Sequence, residues 1–260
     1  MNSDHYRVAV KAVPEMKLLG LPMNRAGLAE VHGFIRQVIE HGEKAVVLNL
    51  NVYCVNLALK HAWLREFIQQ AQLVFCDGDG VRWGLKLRGY LPPPKITYNK
   101  WLWQLAEFCE QNSYSLFFLG AQPGIADEAA EKLKDRYPRL KIAGTHHGHF
   151  QKTGRENEEV VALINKARPD ILLTCFGMPI QEKWISDNWR NIQAHVFLKG
   201  GAAFDYASGR LAKAPEWIIR LQMEWLFRFC QDPVRLFSRY IVGNPYFMYR
   251  VLKEKLKNEK

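Results

Sequence analysis

Six short, predominantly apolar runs recur through the first two hundred positions of this 260-residue chain, and they constrain its fold more than any other feature. They fall at 45–50 (AVVLNL), 73–76 (LVFC), 115–119 (SLFFL), 141–143 (KIA), 171–176 (ILLTCF) and 195–198 (HVFL). Runs this short and this apolar suit strands buried on both faces. Between them the residue spacing predicts helices near 26–41, 56–70, 80–89, 99–112, 124–137, 155–168 and 181–190. Strand and helix in alternation build an α/β chain, a mostly parallel sheet with helices on both faces. Ligands of such sheets lie beyond the carboxyl ends of the strands, so the residues that end each strand are the ones to examine for chemistry.

After about residue 210 the pattern changes. No further strand is evident, and three helices are expected, opened by Pro215, by Asp232-Pro233 and by Asn244-Pro245. Ile218, Leu221, Trp225 and Phe229 would share one apolar face of the first. The chain therefore divides into a core over 1–209 and a basic helical appendage over 210–260. Eleven Lys/Arg against five Asp/Glu give that appendage +6 of the total formal charge of +10. Such a tail suits nucleic acid, anionic lipid or a phosphorylated substrate, and charge alone does not choose. The first ten residues lack the pattern of a signal peptide and no apolar run reaches about 18 residues, so the chain is expected to be soluble or to lie on a membrane. Five widely spaced cysteines with no C-x-x-C read as reduced thiols.

The strand ending at Cys76 runs into Asp77-Gly78-Asp79-Gly80, which places a carboxylate and flexible glycines at a strand end. Asp77 or Asp79 could serve a ligand or simply cap the next helix. The Asp77-x-Asp79 spacing also imitates a Mg²⁺ or Mn²⁺ element, although two carboxylates at this spacing are common by chance. The glycines at 78, 80 and 84 do not make G-x-G-x-x-G, which removes the dinucleotide fingerprint. Thr145-His146-His147-Gly148-His149 lacks a spaced acid or cysteine to complete a metal site and reads as a polar loop. Phe176-Gly177-Met178-Pro179 and Lys199-Gly200-Gly201 are glycine turns after buried strands. Each lets backbone N–H groups and a helix N-terminus approach a phosphate, and each is equally explained by tight packing. In the appendage Arg235 and Arg239 stand four residues apart, where like charges repel unless an anion joins them.

Taken together these segments resemble the WecG/TagA/CpsF family of bacterial glycosyltransferases, from roughly Leu48 to Tyr249. The resemblance rests on Asn51, Asp77-Gly78-x-Gly80, Thr145-His146-His147-Gly148-x-Phe150 and Gly177-x-Pro179-x-Gln181-Glu182. It continues through Gly200-Gly201-Ala202-x-Phe204-Asp205, Gly209, Ala214-Pro215, Glu224-Trp225, Arg228, Pro233-x-Arg235 and Gly243-Asn244-Pro245. It implies a Rossmann-like core with a membrane-docking appendage, working at the cytoplasmic face of the inner membrane as a peripheral protein. The implied reaction is an inverting, metal-independent transfer from a UDP-sugar to a polyprenyl-diphosphate-linked saccharide in surface or exopolysaccharide synthesis. It implies Asp77 as general base, with Arg228, Arg235 and Arg239 stabilising the departing diphosphate. Donor binding would fall to Asn49, Asn51, Thr97, Asn99, Gly120, Gly177, Pro179, Gln181, Glu182, Gly200, Gly201, Phe204 and Asp205. No cofactor and no nucleic acid are implied, an anionic membrane surface is, and self-association into homo-oligomers is allowed.

The chain departs from the family pattern at Asn49, Tyr53, Ile180 and Lys213, and Thr97-Tyr98-Asn99 replaces a run that usually carries glycine second. These departures point away from UDP-N-acetylmannosamine or its uronic acid as donor and leave a hexose or another N-acetylhexosamine. Three other readings are weighed. A Rossmann-type oxidoreductase or synthase lacks its fingerprint. A non-enzymatic nucleic-acid- or membrane-binding protein would use the sequence pI of about 9.4. A family member without activity conflicts with the intact Asp77, Gln181 and Arg235.

Overall fold

Every residue of the strand Ala45–Leu50 is buried, and its side chains divide by parity between two cores. Ala45 and Val47 face one cluster, whereas Val46, Leu48 and Leu50 face the other. A strand with apolar neighbours on both faces has no solvent side to mark with polar residues, which is why the run is continuous. This is a computed structural model, and it describes residues 13–258. Eight strands are named here in chain order: β1 Glu15–Leu18, β2 Leu21–Asn24, β3 Ala45–Leu50, β4 Leu73–Cys76, β5 Ser115–Gly120, β6 Lys141–His146, β7 Ile171–Cys175 and β8 Val196–Lys199. The last six form one sheet in the order β4-β3-β8-β7-β5-β6, parallel at every pairing. Helices Leu28–Glu40, Tyr98–Asn112 and Ile125–Arg136 cover one face. Helices Val52–Lys60, Ala62–Gln70, Gly154–Ala167 and Ile180–Asn188 cover the other.

The expected α/β architecture and all six of its strands are present. Three expectations are corrected. The single helix expected at 56–70 is two helices, because Asn51 starts the first early by accepting the Cys54 N–H on its side chain. His61 then takes an extended conformation that ends one helix and begins the next. The antiparallel hairpin β1–β2 was not anticipated; its two-residue turn holds Leu19 and Gly20 at φ 53° and 78°. Four-residue strands carry too little alternation to stand out, and the left-handed leucine hides the turn.

In the C-terminal segment, the helix expected through Ile218 and Phe229 breaks into Glu216–Arg220 and Glu224–Gln231 because Gln222 adopts φ 59°. The expected apolar stripe is therefore split. Asp232 does cap the next helix, Pro233–Phe237, by accepting the Arg235 N–H. That helix passes through a wide π turn, Ser238–Val242, straight into Gly243–Asn258. Pro245, which has no N–H to donate, falls early in this last segment, just after the π turn. Phe247 and Val251 are fully buried against Val81 and Leu85, and Asn56 donates to the Gly243 carbonyl at 2.8 Å. A Cβ on Gly84 would meet Phe247 Cζ at 2.7 Å, so that glycine serves helix packing and not a nucleotide loop. No described helix is long and apolar enough to cross a membrane.

Candidate active site

All six parallel strands point their carboxyl ends at one cleft of about 1190 Å³, roofed by the segment from Gln222 to Met248. The strand order reverses here, since β4 lies outside β3 whereas β5 to β8 build the other side. Loops diverging at such a point leave a crevice by construction. The roof is tied down by Trp83 Nε1 donating to Gln222 (2.8 Å), Lys95 to Glu224 (2.5 Å) and Arg228 to the Tyr206 hydroxyl.

Asp77 lies on the floor, one residue beyond β4, with its N–H donated to the Leu50 carbonyl (2.8 Å). Asn49 Nδ2 and Asn51 Nδ2 both donate to its Oδ2, at 2.8 and 3.3 Å. The Asn51 amide cannot turn over, because its oxygen is the helix cap for Cys54. The two amides pin one carboxylate oxygen, and Oδ1 has no hydrogen-bond donor among the described residues. Burial pushes the Asp77 carboxyl above its ordinary value. The Asn51 hydrogen bond, the Arg239 charge, Asn49 and Lys199 all oppose that shift without cancelling it. A carboxylate held this way is a stronger base than a solvated one.

Asp79 does not join Asp77. Its Oδ1 pairs with Arg82 (3.1 Å) and its Oδ2 with Lys95 (2.7 Å), so both oxygens are committed to cations. Lys95 continues to Glu224, which makes Asp79 part of the roof's anchorage. The histidines at 146, 147 and 149 are not all on a loop as expected, because Thr145 and His146 belong to β6. His146 Nδ1 contacts the His147 carbonyl at 2.8 Å, and His147 Nδ1 accepts the His149 backbone N–H. Among the described residues no group of three His, Cys, Asp or Glu is gathered as metal ligands.

Asn49, Asn51, Asp77, Thr97 and Asn99 line the cleft, as do Gly177, Gln181, Gly200, Gly201 and Asp205 from the sheet side. Arg228, Arg235 and Arg239 line it from the roof. Four residues expected at the donor lie behind the wall. Gly120 sits where a Cβ would strike the Cys175 backbone at 2.5 Å, so it permits two strand ends to approach. Pro179 caps the helix that follows Gly177, and Phe204 is fully buried on Phe118 at 4.6 Å. Glu182 is 0% exposed and pairs with Lys199 at 2.8 Å. Their neighbours, not these side chains, form the surface. Gln181 shows the connection: its Oε1 accepts the Gly201 N–H at 3.1 Å, which joins the two glycine turns after β7 and β8.

The departure at Tyr98 also has a structural answer. Its ring turns into the core, 4.8 Å from Trp101, and only its buried, unpartnered hydroxyl is left over. The cleft is not plugged; Thr97 Oγ1 and Asn99 Oδ1 lie 2.7 Å apart at its edge. Sequence reasoning named Lys199 only as the start of a glycine turn and gave it no role, whereas its ammonium also reaches Cys54 Sγ (3.2 Å). The available signal was a lysine closing an otherwise apolar strand. Sequence reasoning also passed over Tyr206, which holds Arg228 and is unremarkable as a letter.

The chain matches the family model described as glycosyl transferase WecG/TagA/CpsF over residues 16–260. It is similar to proteins named N-acetylglucosaminyldiphosphoundecaprenol N-acetyl-beta-D-mannosaminyltransferase from Staphylococcus aureus strains MW2, MRSA252 and NCTC 8325. Each is 29% identical over 217 residues, a span that is 82% of this chain and 82% of the relative.

Proposed function

The chain belongs to the WecG/TagA/CpsF family of glycosyl transferases, and on that premise we propose that it moves a hexose or N-acetylhexosamine from a UDP-sugar to a polyprenyl-diphosphate-linked saccharide, with inversion, at the cytoplasmic face of the membrane. The acceptor class follows the Staphylococcus relatives, whose name specifies an N-acetylglucosaminyl diphosphoundecaprenol.

The observation that carries the mechanism is the unequal treatment of the two Asp77 oxygens. Oδ1 takes the proton of the acceptor hydroxyl while that oxygen attacks the anomeric carbon. The bond to the diphosphate breaks on the opposite face, and UDP departs with the electron pair. The charge that develops there faces Arg228, Arg235 and Arg239 on the roof, which supply the electrostatic stabilisation such a leaving group requires. The glycine turns after β7 and β8 offer backbone N–H groups to the same anion.

Membrane docking is supported by the distribution of exposed apolar residues. Among the described residues, eleven of the fifteen large hydrophobic side chains that stand exposed fall between Trp217 and Leu256, in the segment that also carries the excess positive charge. Apolar side chains among cations suit the interface of an anionic bilayer. A roof resting on the membrane would present the cleft to a lipid-linked acceptor.

The test is a screen of UDP-sugars with a short polyprenyl-diphosphate-saccharide acceptor, with and without EDTA, wild type beside Asp77→Asn. Transfer from one donor that survives EDTA and collapses in the variant is the expected result. Transfer lost only with EDTA would overturn the metal-free mechanism, and absence of transfer from every UDP-sugar would overturn the donor class.

A further inference from the structure

Among the described residues four arginines line the cleft, and they are held in three different ways. Arg210 reaches Glu128 at 3.5 Å and Arg235 reaches Asp232 at 2.5 Å, so each spends guanidinium donors on a carboxylate. Arg228 lies over the Tyr206 ring and also bonds its hydroxyl. Arg239 differs from all three. Its guanidinium carbon lies 5.0 Å from the centroid of the Tyr53 ring and 5.2 Å from that of Tyr240. It has no carboxylate partner and no hydrogen bond among the described residues, and its Nε is buried without a partner. Tyr240 is itself backed by Trp225, with ring centroids 6.0 Å apart.

A buried N–H with no acceptor is costly, so a native site that keeps one reserves it for a ligand or a water. Ring faces attract a guanidinium by its charge while leaving its in-plane N–H groups unspent. A carboxylate would hold the same arginine as firmly but would consume those donors and neutralise the charge. The arginine also sits in the π turn Ser238–Val242, an irregularity that recurs where a helix must aim a functional side chain. Tyr53 comes from the far side of the cleft, in the first turn of the helix that Asn51 caps, two residues from a partner of Asp77. The cation is thus fixed jointly by floor and roof.

We propose that Tyr53 and Tyr240 are positioning residues that clamp Arg239 between their faces so that its unspent N–H groups bind the substrate diphosphate beside Asp77. The inference rests on the glycosyl transfer reading above and adds to it the residues that aim the cation. The diphosphate can belong to the nucleotide donor or to the lipid acceptor, and the experiment separates them.

Calorimetric binding of UDP and of geranyl diphosphate is measured for the full chain carrying Tyr53→Leu, Tyr53→Phe, Tyr53→Glu and Arg239→Ala, and for Tyr53→Leu in the Arg239→Ala background. Melting temperatures confirm that each variant is folded. Tyr53→Leu is expected to weaken binding about tenfold, and Tyr53→Phe to restore most of it, since the ring face is what acts. Tyr53→Glu should weaken binding at least as much, because the new carboxylate occupies the arginine. In the Arg239→Ala background Tyr53→Leu should have no further effect. A loss seen with UDP assigns the clamp to the donor, and one seen only with geranyl diphosphate assigns it to the acceptor. Unchanged affinity in Tyr53→Leu, or an equal loss without Arg239, overturns the clamp while leaving the enzyme reading intact. Failure of the wild type to bind either compound overturns both.

Discussion

Replacing Lys199 by methionine should destabilise the protein far more than an ordinary surface lysine would, and should do so through the charge left behind. Lys199 and Glu182 are 1% and 0% exposed, and their atoms meet at 2.8 Å. The second Glu182 oxygen has no partner, and the other side-chain donor to this carboxylate among the described residues is the neutral Gln181 amide, 3.4 Å from Oε1, which cannot replace the ammonium's charge. Removing one member of a buried pair leaves an uncompensated charge, which costs about 3–5 kcal/mol. For a chain of this size that corresponds to a fall in melting temperature of roughly 10 °C. Burial works against the ammonium, but Cys54 and Glu182 outweigh it and hold the Lys199 pKa above its ordinary value. Burial also pushes the Cys54 thiol up, so at neutral pH the thiol is protonated and Glu182 supplies the pairing charge. The sign follows: a raised lysine pKa means the stabilisation is complete at neutral pH and is lost only as pH rises through the folded-state value. The assay is denaturant unfolding at pH 7 of Lys199→Met, Glu182→Leu and the double variant. Each single variant should lose several kcal/mol, whereas the double should lose much less than their sum, because an apolar pair of similar volume replaces the ions. Single variants costing under about 1 kcal/mol, or strictly additive losses, would refute the reasoning.

Further outcomes follow from Asp77 and from the roof. Because burial raises the Asp77 pKa, the acidic limb of kcat/KM should lie above the usual carboxylate range, near pH 4. Asn51→Ala removes an opposing hydrogen bond and should move the limb higher still; an unmoved limb would rule out Asp77 as the titrating base. The same raised pKa means that ionised Asp77 opposes folding above it, so Asp77→Asn should melt higher than wild type at pH 7 while losing about 10²–10⁴-fold in turnover. On the roof Val234 is 91% exposed and Phe237 also stands in solvent, as does Trp217 on the helix that precedes the roof. Changing all three to serine should weaken sedimentation with anionic vesicles at least tenfold, given about 1.5–3 kcal/mol for each side chain fully buried. Equal sedimentation would remove this surface from the membrane contact.

The strands of the main sheet were legible because each is buried on both faces, and continuous apolar runs are a signal that a single chain displays openly. Asp77, the glycine turns and Gln181 were also legible, since a parallel sheet places every strand end on one side whatever the details of packing. The hairpin β1–β2 and the break at Gln222 were not, because both depend on non-glycine residues in left-handed conformations that only surrounding contacts enforce. The fate of individual polar letters was equally hidden. Glu182 and Asp79 look like site residues in one dimension, but Lys199 takes the first into the core and Arg82 with Lys95 takes the second into the roof's anchorage. Arg235 and Arg239 read alike in sequence, four residues apart. Only the folded chain separates them, by putting a carboxylate beside one and, at the other, bringing the Tyr53 ring from a distant helix to join that of its neighbour Tyr240. Local periodicity and strand-end placement are set by short stretches of sequence, whereas the partner of a charge is chosen by whatever distant residue the packing brings within a few ångströms.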